Sequence, residues 1–158
     1  MKINYQSLEK KIDLKFKNKD LLVQALTHKS FNPNENNEKI EFLGDRVLGL
    51  VIAKKLLEIY PGEKEGILDK KFASLVNKKT CLDIAKKINL ASYVKTFNPN
   101  NKKIKIEDKI ISDSCEALIG AIYLDKGFTI CLLYTSPSPR YRTRSRMPSC
   151  ARKKKRGG

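Results

Sequence analysis

Five carboxylates fall on two segments of the chain with the spacing that a metal site built from oxygen ligands needs. On a helix, Glu38, Glu41 and Asp45 lie within an arc of about 60°, at 100° per residue. Asp113 and Glu116, three residues apart, share one face of a second helix. If these faces meet, hard oxygen ligands without His or Cys suit Mg²⁺ or Mn²⁺. Such a cation lowers the pKa of a bound water and holds a phosphoryl oxygen, as hydrolysis of a phosphodiester requires.

The same carboxylates have a plainer interpretation, because acidic residues three or four apart commonly form a solvated helix face. Glu41 and Asp45 stand at i,i+4, where two like charges cost about 0.2–0.5 kcal/mol, so a cation is expected near them. Gly49 and Gly120 lie near the acidic faces, although glycine inside a helix costs about 1 kcal/mol relative to alanine. Close approach of two helices, or of a substrate, would explain these glycines. Both interpretations of the acids stay open at this point.

Helical periodicity dominates the elements that must position these acids. Asn18 is a candidate N-cap, with Asp20 in the first turn of its helix, and the Pro61-Gly62 pair ends the long acidic helix. The expected helices cover residues 3–12, a segment that begins after Asn18, residues 37–59, residues 67–88 (one broken helix or two short ones) and residues 107–126. The core stripe expected on the long helix consists of Ile40, Leu43, Val47, Leu50 and Val51. The predicted fold class is all-α.

Composition favours one domain with a polyanionic partner. The 158 residues include 33 Lys and Arg against 17 Asp and Glu, a net charge of +16, which suits nucleic acid or an anionic membrane surface. No apolar run is long enough to span a bilayer, and no secretory signal is evident, so a cytoplasmic protein outside the membrane is expected. We predict a structural role for His28, the single histidine of the chain. The four cysteines show no Cys-x-x-Cys spacing, so we predict that they are reduced thiols, with Cys81 and Cys115 in the core.

The chain changes character after residue 128. Residues 129–158 contain nine basic residues and no acid, and six of the nine are arginines, whereas residues 1–128 contain one arginine. We expect this segment to be a disordered basic tail. A native nucleic-acid-binding arm is one explanation, but the abrupt change in Lys, Arg and Asn usage favours a segment that is foreign to the gene. The folded domain is therefore predicted to cover residues 1–128.

Three motifs resemble those of the bacterial ribonuclease III catalytic domain. Asn37-Glu-Lys-Ile-Glu-Phe-Leu-Gly-Asp45 is similar to the nine-residue signature of that family. Asp113-Ser-Cys-Glu-Ala-Leu-Ile-Gly120 resembles its second acidic motif, and Ala25-Leu-Thr-His-Lys-Ser30 is similar in position and sequence to an upstream one. The resemblance covers about residues 3–128. On this resemblance, the family's last catalytic helix and its double-stranded-RNA-binding domain are expected to be missing.

The resemblance implies an all-α endonuclease domain that acts as a homodimer. Such a domain cuts both strands of double-stranded RNA with a divalent metal, leaving 5′-phosphate and 3′-hydroxyl ends, in the processing of rRNA and mRNA. It implies that Glu41, Asp113 and Glu116 ligate the metal, Mg²⁺ or in its place Mn²⁺. It further implies that Asp45 and Glu116 are catalytic. Without the RNA-binding domain, we expect weak cleavage at physiological salt and stronger cleavage at low salt.

Four further residues take roles from the resemblance or depart from it. Glu38 is expected near the RNA backbone, and Glu65 is a substrate contact whose alternative is a solvated loop charge. Phe42 is expected to insert into the partner subunit, with burial beneath the preceding loop as the alternative. Arg46 stands where the family often has a small residue, and it could reach a phosphate or pair with Asp45.

Two rival functions belong to other classes. A non-catalytic RNA-binding module would use the basic surface without hydrolysis, and a helical ribosome-associated protein would bind structured RNA without needing Mg²⁺. A cleavage assay on a long RNA duplex, with and without Mg²⁺, separates these two functions from the nuclease when this chain is compared with its Glu116→Gln variant.

Overall fold

The computed structural model describes residues 2–100 and 105–134 and contains only helices joined by loops over these ranges. The α-helices are α1 (Tyr5–Ile12), α2 (Lys19–Ala25), α3 (Glu38–Ile59), α4 (Glu65–Leu75), α5 (Lys78–Lys87), α6 (Asp108–Lys126) and α7 (Phe128–Tyr134), and a short 3₁₀ helix covers Leu90–Tyr93. The predicted all-α class is confirmed. The one β-type feature among the described residues is an isolated bridge between Thr27 and Lys95. In the same ranges no helix has the length and apolar character needed to cross a bilayer.

Asparagine side chains cap the starts of three helices, α1, α2 and α5. The Asn18 side chain accepts a hydrogen bond from the Asp20 amide and begins α2, as predicted. Residues 67–88 form two helices rather than one, because Asn77 takes an extended conformation and its side chain accepts from the Thr80 amide at 2.8 Å. Asn77 thereby fixes Lys78 as the first residue of α5.

The core lies where α3 packs against α6, with α2, α5 and α7 around them. Val47 and Val51 of the predicted stripe are buried, but Leu50 is 60% exposed, which corrects that part of the prediction. Leu50 lies about 80° from Ile40 in one direction around the helix, whereas the buried face extends from Ile40 in the other direction, through Leu48 and Ile52. The buried residues of α3 are Ile40, Gly44, Val47, Leu48, Val51, Ile52 and Leu56.

Two glycines bring the backbones of α3 and α6 into contact. A Cβ atom built on Gly44 would lie 1.7 Å from the carbonyl oxygen of Glu116, and one on Gly120 would lie 2.4 Å from that of Ile40. No side chain fits at either position, so the helices can cross this closely only with glycine there. Gly120 meets the expectation of a close approach. Gly49 does not, since a Cβ there would meet only the Phe72 ring at 3.5 Å, an ordinary contact.

The helical domain continues past residue 128. The expected disordered tail began at residue 129, but residues 129–134 belong to α7, and Cys131 is fully buried against α6 with its thiol 3.8 Å from the Ile119 carbonyl oxygen. Ile130 and Leu132 pack against the core, so the first residues of this segment bury apolar side chains. The later part of its sequence is basic and has few large apolar residues. The remainder of the predicted tail, 135–158, lies outside the described residues.

Asp125 joins the end of α6 to the start of α2. Its side chain is 3% exposed and accepts hydrogen bonds from the amides of Lys17 and Asn18 at 2.9 and 2.8 Å. Burial alone would raise the pKa of this carboxyl group, but these two amides and the Lys126 ammonium lower it below its ordinary value.

Replacement of Asp125 by asparagine tests this junction. At pH 7 we expect Asp125→Asn to lower the free energy of unfolding by about 1.5–3 kcal/mol, because it removes charge-assisted hydrogen bonds. The folded pKa is lowered, so the contribution is complete above the unfolded value of about 3.9 and is lost as the pH falls through the folded value. Denaturant unfolding at pH 7 and pH 3 should therefore show a difference that shrinks in acid. A constant difference would contradict the assignment.

Alanine at the two glycines of α3 separates helix contact from helix propensity. We expect Gly44→Ala to destabilise the protein by about 3 kcal/mol or more, because its methyl group collides with backbone. Gly49→Ala, on the same helix, should be neutral or stabilising by up to about 1 kcal/mol. Thermal unfolding of both variants is the measurement, and equal melting temperatures would refute the close crossing.

Candidate metal centre

Three of the predicted carboxylates meet beside the glycine contact. One oxygen each of Glu41, Asp113 and Glu116 lies within 4.8 Å of the other two. Glu41 comes from the first turn of α3 and the other two come from the middle of α6. Asn37, the buried N-cap residue of α3, places its side-chain nitrogen 3.5 Å from the Ser114 hydroxyl and so holds the start of α3 against α6. The sequence-predicted convergence of acids from both motifs is present in these three residues.

The other predicted site residues stand at the edge of this cluster or apart from it. Asp45 is half-exposed and pairs with Arg46 at 3.1 Å, one of the two partners expected for that arginine. It is close enough to Glu116 to raise the pKa of that residue. Glu38 is exposed and pairs with Lys29 at 3.0 Å. Glu65 is exposed at the start of α4 and is not one of the three converging acids.

A lysine that the sequence did not single out lies among the three acids. The Lys78 ammonium is 2.7 Å from Asp113 Oδ1, 2.7 Å from Glu116 Oε2 and 3.7 Å from Glu41 Oε1. Lys109 binds the other oxygen of Asp113, also at 2.7 Å. The cations near Glu41 and Asp45 are Lys78, at 3.7 Å from Glu41, and Arg46, which pairs with Asp45. Of the two lysines, only Lys109 has a signal in the sequence, because it stands four residues before Asp113 on one helix.

Burial and charge pull the acid pKa values in opposite directions. Burial, with Asp45 and Asp113 nearby, raises the pKa of Glu116 despite the hydrogen bond from Lys78. Burial and the charge of Asp113 raise that of Glu41. For Asp113, hydrogen bonds from Lys109 and Lys78 outweigh burial and lower the pKa. Burial is thus the main reason why the pKa values of Glu41 and Glu116 lie above their ordinary values, although Lys78 is nearby.

The donor set fits a small hard divalent cation. All three ligands are carboxylate oxygens, the chemistry that Mg²⁺ and Mn²⁺ prefer. Mg²⁺ binds oxygen at about 2.0–2.1 Å in an octahedron, so its neighbouring ligands stand about 2.9 Å apart and opposite ones about 4.2 Å apart. The three carboxylate oxygens, which lie within 4.8 Å of one another, would therefore draw closer together around the ion. Glu116 is only 5% exposed, and a buried carboxylate requires a cation or several hydrogen-bond donors.

The remaining predicted residues are His28, two cysteines and Phe42. His28 is held in the loop after α2, where its ring nitrogen Nδ1 lies 2.8 Å from the Ser30 hydroxyl and its amide donates to the Lys95 carbonyl, consistent with a structural role. Cys81 and Cys115 are buried free thiols, as expected. Phe42 is 62% exposed and lies beneath the Arg46 guanidinium at 3.9 Å, so the alternative of burial beneath the preceding loop is wrong.

Comparison with known proteins agrees with the site. The model of the family described as Ribonuclease-III-like matches residues 18–132. Ribonuclease 3 of Pelagibacter ubique is 70% identical over 127 residues, which cover 80% of this chain and 57% of that protein. Ribonuclease 3 of a Sulfurovum species is 42% identical over 125 residues, covering 78% and 56%. The chain therefore spans little more than half the length of these curated relatives.

Solved structures give the same result. The crystal structure of the nuclease domain of ribonuclease III from Campylobacter jejuni is similar with a TM-score of 0.77 and 39% sequence identity, covering 94% of this chain and 99% of that one. The range that matches the family model, residues 18–132, contains both acidic motifs and the helices α3 and α6 that carry them. The chain belongs to the ribonuclease-III-like family.

Proposed function

We propose that the protein is an endoribonuclease that hydrolyses phosphodiester bonds of double-stranded RNA with a divalent metal, Mg²⁺ or in its place Mn²⁺. The observation that carries this proposal is the convergence of Glu41, Asp113 and Glu116 within 4.8 Å, in a chain of this family. These three residues would hold the metal. A cation bound there lowers the pKa of a water and polarises the phosphoryl oxygen.

The protein's own residues then orient the reaction. Glu116 lies on the buried face of α6 and is the least exposed of the three ligands. Asp45, half-exposed beside Glu116, is the group we assign to orient the attacking water and accept its proton. The water oxygen bonds to phosphorus as Asp45 accepts its proton, and the bond to the 3′ oxygen breaks. The 3′ oxygen takes a proton from solvent, to which Asp45 returns the one it accepted. The products are a 5′-phosphate and a 3′-hydroxyl.

Recognition of the duplex would depend on its backbone. An A-form RNA helix hides its major groove, so a protein reads its shape, phosphates and 2′-hydroxyls. The lysine excess of the chain supplies the attraction to phosphates, and binding should weaken with salt. Glu38 and Glu65 are both exposed, as contacts at the edge of an RNA backbone must be. We assign rRNA and mRNA precursors as the substrate class.

The exposed face of α3 supports a homodimer. Phe42, Leu50 and Leu57 are each more than half exposed and lie within about 80° of one another around the helix. Large apolar residues grouped on one surface mark an interface. The Campylobacter jejuni nuclease domain has a region involved in dimer formation. We assign Phe42 as the residue that inserts into a pocket of a second copy of the chain.

The cysteines are consistent with a cytoplasmic location, which completes the proposal. Cys81 and Cys115 are buried free thiols. Thiols that stay reduced are typical of a reducing compartment.

Replacement of Glu116 by glutamine tests the nuclease. We expect Mg²⁺-dependent cleavage of a long RNA duplex to fall by more than about 100-fold, because a ligand of the metal is removed while the side-chain volume is kept. The measurement is initial cleavage rate on a labelled duplex, with and without Mg²⁺, beside circular dichroism to check the fold.

Glu58→Gln is the matched control for this substitution. It makes the same change on α3, at a residue paired with Lys54 and Lys55, and should leave cleavage unchanged. A wild-type protein that binds the duplex but never cleaves it would favour the non-catalytic RNA-binding module.

Replacement of Phe42 tests the homodimer. We expect Phe42→Ala to raise the dimer dissociation constant by more than about 30-fold, equivalent to about 2 kcal/mol for a buried aromatic anchor. Phe97→Ala is the control, since Phe97 is equally exposed but lies outside α3. Sedimentation equilibrium over a concentration series provides the constants. Equal constants for both variants would place the interface elsewhere.

A further inference from the structure

We propose that Lys78 is the resident cation of the metal-free site and that a divalent metal binds by displacing it, so that this residue sets the metal affinity. The inference rests on the proposed metal-dependent function and deepens it. It concerns which group neutralises the cluster before metal arrives, and how tightly the metal then binds.

The position of the ammonium carries the inference. Lys78 Nζ is 2.7 Å from one oxygen of Asp113 and 2.7 Å from one oxygen of Glu116, so it uses two of the three carboxylates that would hold the metal. Its distance to Glu41 is 3.7 Å. A metal ion bonded to the same carboxylates would bring a second positive charge into contact with this ammonium. The two cations therefore compete for one place.

Burial explains why the place must be filled. The Asp113 and Glu116 side chains are 12% and 5% exposed, and ionised carboxylates with so little water require a partner. Lys109 meets only the outer oxygen of Asp113 and is not bonded to Glu116 among the described ion pairs. Lys78 is the group that joins the two acids in the absence of metal.

Exposure explains why Lys78 can leave. Its side chain is 56% exposed, and its four-carbon stem carries a strongly hydrated charge that solvent can take up. Lys78 is the first residue of α5, whereas the carboxylates belong to α3 and α6. Movement of its side chain away from the cluster therefore disturbs neither helix that positions the ligands. Displacement needs only a change of side-chain rotamer.

The experiment measures metal affinity in the 158-residue chain. Mg²⁺ and Mn²⁺ alone are titrated calorimetrically into wild type, Lys78→Met, Lys109→Met and Lys79→Met, and thermal unfolding is followed with and without 10 mM Mg²⁺, a concentration of roughly the order needed to exceed a weak binding constant. Lys79 is the adjacent exposed lysine, and Lys109 touches the cluster without occupying its centre.

We expect Lys78→Met to bind metal about tenfold or more tightly than wild type, because the metal no longer has to displace an ammonium group from the carboxylates. One close charge contact of this kind is commonly worth more than a tenfold change in affinity. Without metal the variant should melt at a lower temperature, and its rise on adding Mg²⁺ should exceed that of wild type. Lys79→Met should match wild type. Lys109→Met should gain less than Lys78→Met.

Other outcomes overturn the inference. Unchanged or weaker metal binding in Lys78→Met would mean that Lys78 only positions the carboxylates. An equal gain in Lys109→Met would mean that net charge, rather than occupancy, sets the affinity. If Lys78→Met does not fold without metal, Lys78→Gln is titrated instead, with the same expected sign. Metal binding by wild type with no gain in the variant leaves the proposed nuclease intact, whereas no binding by any variant removes both.

Discussion

The close crossing of α3 and α6 is the constraint on which the site depends. At Gly44 and Gly120 the backbones touch, with no room for a side chain on either glycine. Glu41 lies one turn before Gly44, and Glu116 lies one turn before Gly120, so the same contact fixes the separation of ligands from two helices. The glycines cost helix stability in isolation. In the folded protein, however, they allow the close crossing that places the carboxylates rigidly, as flexible loops would not.

That rigidity creates an electrostatic problem which the surrounding helices resolve. Packing of α6 buries Asp113 and Glu116, and burial disfavours their charged forms. Lys109 from the same helix and Lys78 from α5 supply opposite charge, both from the solvent side. Together they stabilise ionised acids without making the cluster inaccessible. A stable fold and an exchangeable cation are therefore compatible here because the compensating groups are long, exposed side chains.

Features encoded by short stretches of sequence were predictable, and those made by packing between distant segments were not. Asn18 capping, the long acidic helix and the two acidic motifs follow from local spacing. Lys78 gave no signal, because its distance to Asp113 depends on how α5 docks on α6. Gly44 was missed for the same reason, since only the crossing point shows which glycine meets backbone. The apolar start of α7 was masked by the basic composition of the residues that follow it.

α3 also connects the acidic cluster with the exposed apolar face. Arg46 stacks on Phe42 at 3.9 Å and pairs with Asp45 at 3.1 Å, so one guanidinium touches both the exposed ring and the acid beside Glu116. While the Arg46–Asp45 ion pair is exposed to water, it contributes little to the free energy of folding, because solvent screens it. A protein surface that covers Phe42 must also cover part of Arg46, and the loss of water strengthens the attraction between Arg46 and Asp45. Association at this face and the charge at the edge of the site are thus physically linked through a single side chain.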